Sequence, residues 1–121
     1  MKVFEKLLAV KEKKGAGYFV LIDPDKQDVT RAVELAKTCE HAGVDALLVG
    51  GSLLLANIFD DTVKAIKEVC SLPVILFPGS TKQISSYADA ILFLSLISGR
   101  NPESLISGQV VAAPIIKSIN L

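Results

Sequence analysis

The run Tyr18-Phe19-Val20-Leu21-Ile22 ends abruptly at Asp23-Pro24-Asp25-Lys26, and no other stretch limits the possible folds so tightly. A continuous aromatic, β-branched and aliphatic run reads as a strand buried on both faces, the condition of a parallel strand between helices. Pro24 has no amide hydrogen for a ladder and drives Asp23 into an extended conformation, so the strand stops there. Two carboxylates and an ammonium group therefore gather at the carboxyl end of a buried parallel strand, where α/β folds place their ligands.

The pattern recurs downstream. Asp45-Ala46-Leu47-Leu48-Val49 stops at Gly50-Gly51-Ser52, and Val74-Ile75-Leu76-Phe77 stops at Pro78-Gly79-Ser80. The strand ends at Asp23, Gly50 and Pro78 lie 27 and 28 positions apart, room for one strand, one helix and two short loops. Asp89-Ala90-Ile91-Leu92 echoes Asp45-Ala46-Leu47-Leu48 and predicts a fourth strand over residues 90–95.

Helical periodicity fills the intervals. Phe4, Leu7, Leu8 and the stem of Lys11 form one stripe of a leading helix that closes at Gly15. Asp28 caps a second helix, with Val29, Val33, Ala36 and Cys39 or Glu40 along it, ending near Gly43. Asp60 or Asp61 is the expected cap of a third, which turns Val63, Ile66, Val69 and Cys70 inward. Residues 53–59 fit a short helical turn over the sheet end, and residues 82–87 a short helix. Residues 101–121 fit one or two helices with Pro102 in a first turn, and Pro114 breaks residues 110–119 as a regular element.

The predicted fold class is α/β, a parallel (βα)4 arrangement with a leading helix, in a single domain over residues 1–121. The uniform units fit an open doubly wound sheet or half of a TIM-type barrel equally well. A complete eight-stranded barrel needs about 250 residues, and no segment here reads as a fifth strand.

Thirteen basic and thirteen acidic residues balance, which argues against a nucleic-acid footprint and leaves phosphate binding to local groups. Half the residues are apolar, yet no run approaches the roughly 18 apolar residues of a transmembrane segment. Lys2, Glu5 and Lys6 fall where a secretory signal requires an apolar core, so the expected compartment is the cytoplasm. Cys39 and Cys70 stand apart among apolar neighbours and read as buried reduced thiols. His41, the one histidine, reads as a helix-terminal residue placed against the dipole.

Adjacent parallel strands bring their carboxyl ends to one rim. That rim collects Asp23, Asp25 and Lys26, then Gly50, Gly51 and Ser52, then Pro78, Gly79, Ser80 and Thr81, and from the fourth strand Ser95, Ser98 and Asn101. Carboxylate and hydroxyl oxygens suit magnesium, which keeps several waters and completes its shell with ligand phosphate. Glycines permit close approach of backbone amides to phosphate oxygens. Taken one at a time these features are ordinary turn chemistry: Asp-Pro-Asp starts helices, glycines end strands, and Lys26 is a surface charge. Their convergence points to a phosphate or diphosphate ligand.

In combination the motifs are more specific. Leu21-Ile22-Asp23-Pro24-Asp25-Lys26, Leu48-Val49-Gly50-Gly51-Ser52, Leu76-Phe77-Pro78-Gly79-Ser80 and residues 94–103 together resemble the geranylgeranylglyceryl phosphate synthase family, bacterial polyprenylglyceryl phosphate synthases included. The resemblance runs from Asp23 to about residue 117. It implies the amino-terminal half of a (βα)8 barrel. The implied activity is transfer of a polyprenyl group from polyprenyl diphosphate to the 3-hydroxyl of sn-glycerol 1-phosphate, forming an ether lipid precursor.

By the same resemblance Asp23 and Ser52 hold Mg2+, while Asp25, Lys26, Gly50, Gly51, Gly79 and Ser80 flank the donor diphosphate. The family's acceptor-phosphate site, with a Tyr-x-Glu strand, a triple-glycine segment and a Gly-Asn pair, has no match in this sequence. The general base is expected in that carboxyl-terminal half too, so no catalytic base is assigned. A half barrel leaves strand edges and an apolar face, which predicts association with a second copy or with the other half. The alternative reading is a non-catalytic half-barrel module that binds a phosphorylated ligand or self-assembles.

Overall fold

The computed structural model describes residues 2–52 and 58–121. Helix α1 (Val3–Lys14) ends at Gly15, whose left-handed φ of 84° releases the chain, with Lys11, Lys13 and Lys14 at the negative end of the dipole. Its apolar stripe is uncovered, with Phe4 and Leu8 exposed. Strand β1 (Phe19–Ile22), helix α2 (Val29–His41), strand β2 (Ala46–Val49), helix α3 (Phe59–Val69), strand β3 (Val74–Leu76) and strand β4 (Ala90–Ile91) follow.

The four strands are parallel and adjacent in chain order, β1-β2-β3-β4. This order separates the two architectures that unit length leaves open. A doubly wound sheet reverses its order at a switch point, whereas right-handed crossovers between consecutive neighbours keep the helices on one side, as in a barrel wall. The core lies on that side, where Ile22, Val49 and Leu76 of one register row meet Ala36 of α2 and Val63 and Ile66 of α3.

Burial on both faces, expected from the continuous apolar runs, holds for the central strands and fails at the edge. Alternation places Leu21, Leu48, Ile75 and Ala90 in one row on the opposite face. Ile75 is buried there and Leu48 half-buried, but Leu21 at the edge is 47% exposed. The apolar runs of the edge strands thus record a face that this chain does not cover itself.

Other boundaries differ from expectation for local reasons. Asp60 and Asp61 lie inside the first turn of α3, and Ile58 precedes it without a side-chain cap; the carboxylates act on the dipole instead. Residues 82–87 form turns rather than a helix, because Gln83 and Ser85 bond to neighbouring segments; the Ser85 hydroxyl donates to Asp60. Strand β4 stops at Ile91, four residues early, since its partner β3 runs out at Phe77-Pro78 after a last bond from the Leu92 amide to the Leu76 carbonyl, 2.9 Å.

Pro114 does not break the last helix. A π-helical turn (Glu103–Ser107) runs into α4 (Gly108–Ser118), which continues through Pro114. The bond lost to proline would have ended on the carbonyl of Val110, an exposed residue, so water can serve that oxygen. The turn expected over residues 53–59 falls, for residues 53–57, outside the described residues, and Phe59 opens α3.

Cys39 and Cys70 are free and buried, and burial pushes both thiols up, which keeps them protonated. His41 is exposed in the last turn of α2 with Nδ1 2.7 Å from the Lys37 carbonyl oxygen. Among the described residues no helix is long and apolar enough to cross a membrane.

The repeated Asp-Ala-Leu/Ile-Leu has a structural cause at the amino-terminal rim of the sheet. Asp45 accepts from the Tyr18 amide at 2.9 Å and from Lys14 at the end of α1. Asp89 accepts from the Val74 amide at 2.8 Å and from Lys67 near the end of α3 at 2.7 Å. Each aspartate satisfies an amide at or just before the start of the preceding strand and pairs with a lysine of the helix that leads into that strand. The hydrogen bonds from Lys14 and Tyr18 hold the Asp45 carboxyl below the usual carboxylate range.

Candidate functional site

The opposite rim is built from three strand ends. After Ile22 the chain makes a turn closed by the Lys26 amide on the Asp23 carbonyl, 3.1 Å, while Asp23 Oδ1 accepts from the Asp25 amide, also 3.1 Å. Buried Pro24 anchors this turn. The Asp23 side chain remains 19% exposed, and the ammonium of Lys26, itself 82% exposed, stands 3.7 Å from Oδ2. Asp23 thus presents an accessible carboxylate oxygen to a solvated cation.

Strand β2 is drawn against this turn by Gly50, whose amide donates to the Ile22 carbonyl at 3.1 Å. Its φ of 155° and the Phe77 carbonyl oxygen, 2.0 Å from where a Cβ would stand, both demand glycine. Gly51 comes still closer to the carboxylate: a Cβ there would lie 2.6 Å from Asp23 Oδ1. Ser52, exposed, follows directly, its Cα 3.0 Å from where a Cβ on Gly79 would stand. Strand β3 completes the group, since a Cβ on Gly79 would meet the Gly51 carbonyl oxygen at 2.1 Å.

A residue that sequence reasoning missed ties these ends together. Gln83 is 1% exposed; its Oε1 accepts from the Gly51 amide at 3.1 Å and the Gly79 amide at 3.2 Å, and its Nε2 donates to the Gly51 carbonyl at 2.8 Å. The available signal was chemical: glycines past a strand end carry amides with no ladder partner, and a carboxamide supplies both donor and acceptor. The amides of Gly50, Gly51 and Gly79 are therefore all engaged within the protein, and these glycines serve the rim by permitting close approach.

Beyond Gly79 a cleft of about 390 Å³ opens between the β3 and β4 ends and the last helix, lined by Ser80, Leu92, Phe93, Leu94 and Ala112 among others. Ser95 lines it, whereas Asn101 accepts from the Glu103 amide at 3.1 Å and so serves the helix start, and Ser98 is exposed outside it. An apolar cleft thus adjoins a polar rim.

Among the described residues no group of three or more histidine, cysteine, aspartate or glutamate side chains gathers as a metal site. Magnesium bound through one or two protein oxygens, with waters and ligand phosphate for the rest, needs no such group. Asp23 fits that requirement by its accessible oxygen and the cation already drawn to it, and Ser52 by its hydroxyl and its position next to Gly51.

Parallel strands in chain order, helices on one side and polar groups at the carboxyl ends define a chain of the TIM-type βα-barrel class. The chain belongs to the PcrB family, whose model matches residues 8–121. It is 46% identical over 120 residues to a geranylgeranylglyceryl phosphate synthase of Chitinophaga pinensis, covering 99% of this chain and 48% of that relative. The structure of (S)-3-O-geranylgeranylglyceryl phosphate synthase from Thermoplasma acidophilum, in complex with sn-glycerol-1-phosphate, superposes with a TM-score of 0.90 at 37% identity over 98% of this chain and 48% of that one. The wild-type enzyme of Thermoplasma volcanium also superposes at 0.90, with 38% identity, 98% of this chain and 47% of that one. The chain spans about half the length of the relatives it matches.

Proposed function

We propose that this chain carries the magnesium and prenyl diphosphate site of a geranylgeranylglyceryl phosphate synthase. In the reaction, the 3-oxygen of sn-glycerol 1-phosphate bonds to C1 of the prenyl group, the bond from C1 to the diphosphate oxygen breaks, and the hydroxyl proton passes to a base. Asp23 and Ser52 would hold Mg2+, which when bound supplies positive charge against the charge that develops on the departing diphosphate. Lys26 would add a second positive charge beside it, and Asp25 and Ser80 would flank the diphosphate. The apolar cleft beyond Gly79 suits a prenyl chain, and the acceptor site and base belong to the other half of the barrel. A cytoplasmic location accords with this reading.

The observation that carries the proposal is the accessible Asp23 carboxylate against the Gly51-Ser52 strand end, in a chain this similar to known synthases. Calorimetry tests it. Inorganic pyrophosphate should bind the protein with Mg2+ and not with EDTA, and Asp23→Asn should remove the magnesium dependence. Unchanged binding in that variant would reject the metal assignment.

A second reading has its own support. Phe19 and Leu21 on the open face are exposed, and we infer that this side associates with the rest of a barrel or with a second copy of the chain. Sedimentation over a concentration series tests it, a strictly monomeric species at all concentrations being the refuting result.

A further inference from the structure

We propose that Gln83 is the positioning residue of this rim, the group that fixes Gly51 against Asp23 and so sets the spacing of the magnesium and diphosphate site. The inference rests on the proposed donor site and adds to it a residue that touches neither metal nor diphosphate.

Beyond the last rungs of the ladder, neighbouring parallel strands no longer satisfy one another's backbone groups. The Phe77 amide still reaches the Val49 carbonyl at 2.8 Å, and past that point no backbone hydrogen bond among the described residues joins the glycine turns of β2 and β3. The carboxamide of Gln83 bridges the gap with three bonds, accepting from one amide on each turn and donating to the Gly51 carbonyl. In effect it is an inserted peptide group that continues the sheet by one rung.

The consequence for the site is geometric. Gly51 approaches Asp23 so closely that a single added carbon would collide with the carboxylate, and Gly79 approaches Gly51 in the same way. Contacts this close hold only while something prevents the two turns from separating. Among the described residues Gln83 alone bonds to both, and its burial shields those bonds from water. Without it, three backbone groups at the rim lose their partner, and the Gly51-Ser52 segment is free to move away from Asp23. Partners that orient metal ligands without touching the metal change affinity by about 10–100-fold when removed.

The test measures pyrophosphate affinity in Mg2+ for the intact protein carrying Gln83→Leu, at a temperature where it is folded by circular dichroism. Gln83→Asn keeps the amide but is too short to bridge both turns, and it serves if leucine prevents folding. Ile66→Val, in the helix-facing core away from the rim, controls for lost stability. The expected result is affinity weakened about tenfold in Gln83→Leu and by less in Gln83→Asn, with the control unchanged. Amide exchange should quicken at Gly51 and Gly79 but not at Gly50, which bonds to Ile22. A folded Gln83 variant that binds within twofold of wild type, or a control that weakens binding as much at equal loss of stability, overturns the role of Gln83 alone. Absence of magnesium-dependent binding in the wild type would overturn the donor site, and this inference with it.

Discussion

The two rims of one small sheet use the same residue type to opposite ends. At the amino-terminal rim both carboxylate oxygens of Asp45 and of Asp89 accept from the protein, a backbone amide and a lysine in each case. At the carboxyl-terminal rim Asp23, among the described residues, accepts one amide and sees its lysine only at 3.7 Å. An aspartate whose oxygens are filled by the fold belongs to stability. One with an oxygen that the described donors leave beyond hydrogen-bond distance, beside glycine turns, is available to a ligand.

The largest effect expected from breaking this contrast is on ligand binding. Asp23→Asn should weaken magnesium-dependent pyrophosphate binding by about 100-fold while leaving the urea midpoint near its wild-type value. Asp89→Ala should do the reverse: the Val74 amide loses its partner, and urea denaturation should register a loss of about 1–3 kcal/mol with binding unchanged in the folded protein. A variant of either rim that altered both quantities equally would erase the distinction.

Acid should separate the rims more gently. The Asp45 carboxyl titrates below its ordinary value because Lys14 and the Tyr18 amide favour its ionised form. Its contribution to stability is therefore complete above the unfolded carboxylate value, about pH 4, and is lost as pH falls through the lower folded one. Urea midpoints at pH 7 and pH 3 should show Asp45→Asn less stable than wild type at neutral pH, with the gap narrowing in acid. The smallest effect is expected for Lys67→Met, an ion-pair loss of under about 1 kcal/mol with no change in pyrophosphate affinity.

Much of this was legible before any coordinates. The positions of the first three strands, the parallel class, the Asp28 cap and the glycine ends of α1 and α2 follow from local patterns, which the structure repeats to within a residue or two. The Asp-Ala echo marked two equivalent strand starts but not their purpose, since the bonds that explain it link residues 27 and 15 positions apart. Gln83 was invisible for a related reason. In a segment with helical spacing a glutamine reads as a solvated side chain, and only the meeting of two glycine turns gives it partners. Pro114 misled because proline's cost depends on whether water reaches the carbonyl it leaves behind. The order of the strands, and with it the choice between barrel wall and doubly wound sheet, is not written in any one unit.

Gly50, Gly51 and Gly79 look alike as letters, but they would behave differently in a library randomised at all three positions. At 50 and 79 an added carbon meets carbonyl oxygens of the backbone, 2.0 and 2.1 Å away, so a screen that asks only for folded protein should return glycine. At 51 the obstacle is the Asp23 carboxylate, a side chain that can swing aside. That position should admit other residues under selection for folding and return to glycine only when the screen also demands the ligand, so the triplet contains its own assay for which of the two pressures shaped it.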